Sequence, residues 1–271
     1  DFCLSRGLGD VYKRQGNAMT GGTSITASIT AWLMPHLILA PIALPLLTAG
    51  LMLLLREERQ RTKVTLNITS TLVGLVVAVL LLVQAKEPSV QTSLGVYLPG
   101  NWPAPFGIVL VIDRLSAMML VLTSTVALAT VLFSAARWHR AGVHFHPLFQ
   151  FQLMGLAGAF LTADLFNLFV FFEIMLAASY GLLLHGSGRP RVSAGLHYIA
   201  INLAASSLFL IGVSMLYGIT GTLNMADLAQ SIAGVAVADR GLLHAAAAIL
   251  AVAFLITVSY THLRAHETGR N

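Results

Sequence analysis

Cysteine and charge are both nearly missing from this chain. It has a single cysteine, Cys3, in 271 residues, and only 10% of its residues are charged, against about 25% in ordinary soluble domains. A lone thiol excludes a disulfide framework, and Cys3 stands in a polar N-terminal stretch unlike the bulk of the chain, so thiol chemistry is excluded from the rest. Scarcity of charge excludes an ordinary water-facing surface. Acids are scarcer than bases, 11 against 16, which gives a net charge of +5. That balance does not indicate nucleic acid, because basic clusters in a membrane protein report its orientation.

Hydrophobic residues are abundant, at 56%. Apolar runs approach the roughly 20 residues needed to cross a hydrocarbon layer. Seven are read, at Trp32 to Leu55, Leu66 to Ala85, Leu115 to Ala136, Leu148 to Ala163, Leu165 to Leu184, Gly195 to Ile219 and Leu242 to Thr257. The expected fold is an all-α integral membrane protein. The first run is longer than a signal-peptide core of about 7 to 15 residues and leads straight into "REERQRTK", so it reads as an anchored helix. The last is short, at roughly 24 Å for 1.5 Å per residue.

Both ends fall outside this pattern. "DFCLSRGLGDVYKRQ" and "SYTHLRAHETGRN" are polar and resemble translated adapter sequence. The expected division is an adapter-like tail over 1–18, a transmembrane part over 19–257 and a second tail over 258–271. Setting the tails aside removes Arg6, Lys13, Arg14, Arg264 and Arg270 against Asp1, Asp10 and Glu267, leaving a mildly basic remainder.

Basic residues alternate between loops. "REERQRTK" (Arg56 to Lys63), "RWHR" (Arg137 to Arg140) and "RPR" (Arg189 to Arg191) come after the first, third and fifth runs, while the other loops carry little beyond Lys86 and Arg240. The positive-inside rule makes these three loops cytoplasmic and the N-terminus external. "VYLPGNWPAPFG" (Val96 to Gly107) reads as an extended, turn-rich segment. In "YGITGTLNMADLAQSI" (Tyr217 to Ile232), Thr222 or Asn224 can cap a short helix with Asp227 in or near its first turn. "WHRAGVHFH" (Trp138 to His146) reads as a solvated loop, since no second cluster accompanies it to complete a metal site.

Polar residues inside the runs are few, and Glu173 is the one acid deep in an apolar segment. An ionised side chain at that depth costs about 2.5 to 3.5 kcal/mol even on a lenient insertion scale. Asp113 and Asp164 stand at run boundaries, nearer water. Helical spacing puts Phe166, Phe169, Val170, Leu176, Ala177, Tyr180 and Gly181 on the Glu173 face, and Ala177 and Gly181 permit a neighbouring helix to come close. On the next run Asn202 and Ser206 share a face, while His197 points elsewhere, nearer the cytoplasmic end. Asn202 and Ser206 suit interhelical hydrogen bonding or a polar path, and His197 suits proton transfer at a bundle mouth. Three readings of Glu173 stay open: a neutral structural carboxyl, a cation ligand, and a proton-relaying carboxyl whose proton affinity moves with a nearby cation.

The stretches "DLFNLFVFFEIMLAASYGLLLHG", "INLAASSLFLIGVSMLYGITGTLNMADLA" and "PAPFGIVLVIDRLSAMML" closely resemble the D subunits of the multisubunit Mrp-type sodium/proton antiporters. That family is itself similar to the antiporter-like subunits of respiratory complex I, and an antiporter-like subunit of complex I or of a membrane hydrogenase is the alternative reading within the same class. The resemblance covers Trp32 to Ile256. It implies fourteen helices in two inverted halves, of which these seven correspond to the first. It also implies a transporter subunit and not an enzyme, with no cofactor and no metal. The implied location is a bacterial inner membrane, among the other subunits of a hetero-oligomer, with protons and Na+ as the transported ions.

The resemblance also assigns roles. Glu173 is implied to relay protons by pairing with a Lys of the seventh helix, and His197 stands where the family often has another Lys. Asn202 and Ser206 would support the polar path. The partner Lys is expected at position 257, which here is Thr257. The expectation is therefore that these 271 residues alone transport nothing. The alternative from a different class is a membrane scaffold in which Glu173 only ties helices together.

Overall fold

A computed structural model describes residues 36–85, 95–102, 107–137, 144–185 and 188–267. The chain divides into Asp1–His36, of which only His36 is described, and Leu37–Asn271, which holds every helix and strand named here. Seven long helices succeed one another in the second unit: α1 (Ala40–Leu54), α2 (Gln60–Gln84), α3 (Arg114–Arg137), α4 (Phe145–Leu161), α5 (Leu165–Leu183), α6 (Arg189–Thr220) and α7 (Arg240–Glu267). Six of these segments are long and apolar enough to cross a membrane. The exception, α4, has 17 residues, or about 26 Å. Leu47, Leu54, Leu115, Phe133 and Leu255 are each more than 60% exposed, as suits helices whose outer faces meet an apolar surround and not water.

Each helix matches one apolar run; α1 begins later than its run, α6 begins six residues earlier, α7 extends further, and α2 and α4 begin earlier where polar residues are buried. α2 begins at Gln60, six residues before the run, so Lys63 is helical and 2% exposed. It is not part of a solvated loop. α4 begins at Phe145, which places His146 inside the bundle at 1% exposure and corrects the solvated reading of that histidine. Residues 138–143 of the same stretch, and 32–35 of the first run, lie outside the described residues. The backbone of α7 continues without a break through the 257/258 boundary to Glu267.

Between α2 and α3 the chain forms a small antiparallel ribbon, β1 (Gly95–Tyr97) with β2 (Leu110–Ile112), in the register Val96 to Val111. This extends the all-α expectation by one hairpin. The ribbon joins two other connections at the same end of the bundle. Ala163 N–H donates to Val109 at 2.9 Å, Leu165 N–H to Leu223 at 3.0 Å, and Met225 N–H to Ala163 at 2.8 Å. Backbone groups that no helix satisfies are thus paired with one another.

The acids at the boundaries are helix caps. Asp164 accepts from Asn167 N–H at 2.8 Å to start α5, and Asp113 accepts from Ser116 N–H at 2.7 Å at the start of α3. Asn224 accepts from Ala226 and Asp227 N–H and starts a short helix, Met225–Ser231, with Asp227 in its first turn, as expected. α6 stops at Gly221, whose φ of +71° is a left-handed conformation that glycine adopts without steric cost.

α4 and α5 pack closely because α4 presents glycine. The place where Gly158 would carry a Cβ is filled by the ring of Phe171, and Gly155 sits against Met175 in the same way. Gly181 of α5 lies against Leu148 of α4, as its small size suggested, whereas Ala177 is exposed. A core of Ile42, Ala78, Leu81, Leu110, Ala117, Leu120, Ala157, Leu161 and Phe171 joins α1 to α5. A second, Phe209, Val213 and Ala253, joins α6 to α7.

Candidate functional site

Glu173 lies in the middle of α5, two turns past the Asp164 cap that fixes where that helix begins. Its side chain is half-buried. The hydroxyl of Ser206, on α6, donates a hydrogen bond to Glu173 Oε1. This is a bond between two membrane-spanning helices with a carboxyl as acceptor. A hydroxyl both donates and accepts, so Ser206 can stay bonded to the carboxyl whether or not it carries a proton.

Aromatic rings from three helices lie beside this pair. Phe169 stacks on Phe209 at 6.1 Å, Phe172 meets Phe209 and Phe254 edge-on at 6.3 Å, and Phe209 meets Phe254 at 5.7 Å. Such rings offer a carboxylate no hydrogen-bond donors, which makes the Ser206 hydroxyl weigh more. Toward the other end of α5, Tyr180 lies close enough to Glu173 to interact electrostatically, and its ring meets Tyr198 of α6 edge-on at 5.4 Å. Tyr198 was not singled out by the sequence. Its signal was available, since it lies eight residues before Ser206 and so on the same face.

The remaining expected site residues divide. Asn202 is 4% exposed, and its amide donates to Tyr198 C=O at 2.8 Å, within its own helix. His197 is exposed, with Nδ1 2.8 Å from Ser193 C=O, and no described contact brings it to Glu173. Thr257 donates to Ala253 C=O at 2.9 Å. Phe254, one turn before Thr257, is the α7 residue that reaches Phe172 beside Glu173, so position 257 comes directly after the level of the carboxyl.

Fold and site together define a multi-pass membrane protein with one carboxyl bonded between two spanning helices in its interior. Residues 162–265, which contain that whole region, match the family described as "NADH:quinone oxidoreductase/Mrp antiporter, TM". The chain is 59% identical over 230 residues to a probable K(+)/H(+) antiporter D subunit of Rhizobium meliloti, covering 84% of this chain and 42% of that one. It is 40% identical over 224 residues to a Na(+)/H(+) antiporter D subunit of Alkalihalophilus pseudofirmus, covering 82% of this chain and 44% of that one. Its fold matches a chain in the structure of the Mrp complex from Dietzia sp. DQ12-45-1b with a TM-score of 0.71 and 35% identity, over 82% of this chain and 40% of that one. This protein is a homologue of the Mrp antiporter D subunits. It spans less than half the length of the relatives it matches.

Proposed function

We propose that this chain carries the proton-handling carboxyl, Glu173, of one component in a monovalent cation/proton antiporter complex. The observation that carries the reading is the Ser206 to Glu173 hydrogen bond across α5 and α6. A carboxyl meant only to tie helices would be served by a fixed donor. A hydroxyl keeps its bond through a change of protonation, as a relay needs. A cation moving near the pair would change the carboxyl's proton affinity, and position 257, one turn beyond Phe254, is where such a cation would stand in a relative with Lys there.

The cation is K+ or Na+ in this reading, since the two relatives are named for one each; the sodium expectation becomes one of two. The partners are the other subunits of a bacterial membrane complex. The basic loops put the ends shared by α1 and α2, α3 and α4, and α5 and α6 in the cytoplasm, and hence the N-terminus outside. Asn202 and His197 are secondary in this reading, one bonded within its own helix and the other exposed.

Replacing Glu173 by Gln in the full-length protein, within the assembled complex, tests this. A proton relay predicts loss of cation-driven proton movement in everted vesicles while the complex still assembles. Activity equal to the parent would leave Glu173 as a structural tie, the scaffold alternative.

A further inference from the structure

The most extensive buried polar cluster among the described residues stands apart from Glu173, at the end of the bundle where α2 and α4 begin. Lys63, Asn67 and Thr71 are spaced four apart on α2, and His146 and Gln150 are four apart on α4, so each set forms one face. Lys63 is 2% exposed, Asn67 0%, Thr71 4%, His146 1% and Gln150 1%. Ser70 and, on α1, Thr48 complete the cluster, at 7% and 9%. Asn67, Thr71, His146, Gln150, Ser70 and Thr48 are hydrogen-bonded to one another, as buried polar groups must be, and the pairing forms a chain with a direction.

Gln150 Nε2 donates to Asn67 Oδ1 at 2.7 Å and to Thr71 Oγ at 3.2 Å. That turns the NH2 of Asn67 to His146 Nδ1, at 2.8 Å. Nδ1 is therefore an acceptor, and the ring is neutral with its proton on Nε2. At the other end Ser70 donates to Gln150 Oε1 at 3.4 Å, and Thr48 lies 2.9 Å from Ser70 while bonded to Leu44 C=O at 2.7 Å.

A proton added at Nδ1 reverses this order. A hydronium ion gives its proton to the ring and leaves as water, and the ring becomes a donor on both nitrogens. Asn67 must then turn Oδ1 toward it, and Gln150 must turn its own amide so that Oε1 meets the Asn67 NH2. Ser70 now accepts from Gln150 and gives its hydrogen to Thr48, which keeps its bond to Leu44. Gln150 gives up its contacts with Thr71 Oγ and the Asn67 carbonyl, while Thr71 stays bonded to Asn67 C=O at 2.8 Å, and the polarity of a chain across three helices is inverted.

The chain ends at a small cavity of about 40 Å³ whose lining includes Ser70, Thr71, Gln150, Thr123 and Ser124, room for a water molecule. From Lys63 to Gly74 on its wall is eleven residues of α2, about 16 Å, or roughly half of a 30 Å hydrocarbon layer. Among the described residues the ionisable groups at this end of the bundle include His144, which caps α4 two residues before His146, Arg137 at the adjoining end of α3, and Lys63 on α2, one turn from Asn67. From the end of α5, His185 contacts Phe145 at 5.6 Å, and Phe145 meets His146 at 5.3 Å. Residues 40–54 of α1 and 115–136 of α3 contain no acid or base. Among the described residues no carboxylate forms an ion pair with Lys63.

We propose that His146 is a second proton-binding site, in exchange with the membrane face that bears the basic loops, and that Asn67, Gln150, Ser70 and Thr48 carry its protonation state to the middle of the bundle. Its ligand is the proton itself, delivered by water.

The test is deuterium exchange at the imidazole C2 position, read by mass spectrometry on the assembled complex with the full-length protein, across about pH 5 to 9. His146 should titrate with a single midpoint inside that range, and Lys63→Met, which removes the neighbouring cation, should shift it. A flat profile for His146, or a midpoint unmoved by Lys63→Met, overturns the proposal. In everted vesicles His146→Gln, which keeps an amide beside Asn67 but takes no proton, should flatten the pH profile of cation-driven proton movement. A profile identical to the parent's also overturns it. The vesicle arm rests on the antiport reading and the exchange arm does not, so their failures are distinguishable.

Discussion

Ser206 on α6 donates its hydroxyl hydrogen to Oε1 of Glu173 on α5, and the neighbouring rings of Phe172, Phe209 and Phe254 cannot replace it as a donor. Ser206→Ala therefore leaves the carboxyl without this partner. A hydrogen bond to a charged group contributes about 1.5 to 3 kcal/mol, roughly ten- to a hundredfold in an equilibrium constant. Cation-driven proton movement by the assembled complex should fall by about tenfold or more in Ser206→Ala. It should be largely kept in Ser206→Thr, which retains the hydroxyl. Equal activities in the two variants would refute a role for the hydroxyl.

Gly158 of α4 and Phe171 of α5 are in such close contact that a methyl group at Gly158 would occupy the ring's position. Overpacking of this kind costs about 1 to 3 kcal/mol. Gly158→Ala should lower the thermal midpoint of the detergent-solubilised complex, and Phe171→Leu in the same chain should restore part of it. Gly218→Ala is the control: nothing lies within 4 Å of its Cβ position, and alanine is the better helix former, so its midpoint should hold or rise.

Asp113 is the acid whose proton affinity is set most plainly by its cap. Hydrogen bonds from the side chain and then the backbone of Ser116 hold its carboxyl below the usual aspartate value of 3.8. A carboxyl with a lower pKa folded than unfolded stabilises the fold at pH above its unfolded value, and that contribution is lost as pH falls through the folded one. The protection of the Ser116 amide, the slowing of its exchange relative to an unstructured peptide at the same pH, should be high at neutral pH and should fall in acid, below the ordinary aspartate range. Asp113→Ala should be little protected throughout, and in Asp113→Asn the protection should be independent of pH over the acid range. A Ser116 amide indifferent to both acid and substitution would refute the cap.

Much of this arrangement is legible in the residue order, and two of the exceptions, α2 and α4, share one cause. α3 and α5 start and stop within a residue of their apolar runs because their ends are capped at Asp113 and Asp164, where polarity changes sharply. α2 and α4 start earlier than their runs because Lys63 and His146 are polar and yet buried. Hydropathy treats such residues as loop, and only the facing helix, where Asn67 lies 79 residues away from His146, shows how the histidine is satisfied. The Glu173 face was readable from helical spacing, including Ser206. Spacing could not say that Asn202, on the same face, would spend its amide on the carbonyl of Tyr198, nor that His197 would be left exposed.

Asn224 tests how far the end of the bundle controls the site. Its side chain is 6% exposed and accepts from Ala226 N–H at 3.1 Å and Asp227 N–H at 3.3 Å. The same residue is bridged to Asp164, the cap of α5, and its neighbours Leu223 and Met225 exchange backbone hydrogen bonds with Leu165 and Ala163. Asn224→Ala removes the cap of the short helix, at about 0.5 to 2 kcal/mol, and loosens the strap that fixes the first turn of α5. Two changes should appear together in hydrogen exchange of the assembled complex: faster exchange across residues 225–231, and faster exchange at Leu165, whose N–H depends on Leu223. Asn224→Asp keeps the accepting oxygen and should restore both. If residues 225–231 loosen while Leu165 stays protected, the strap is held by Met225 and Ala163 without the cap, and the position of Glu173 does not depend on Asn224.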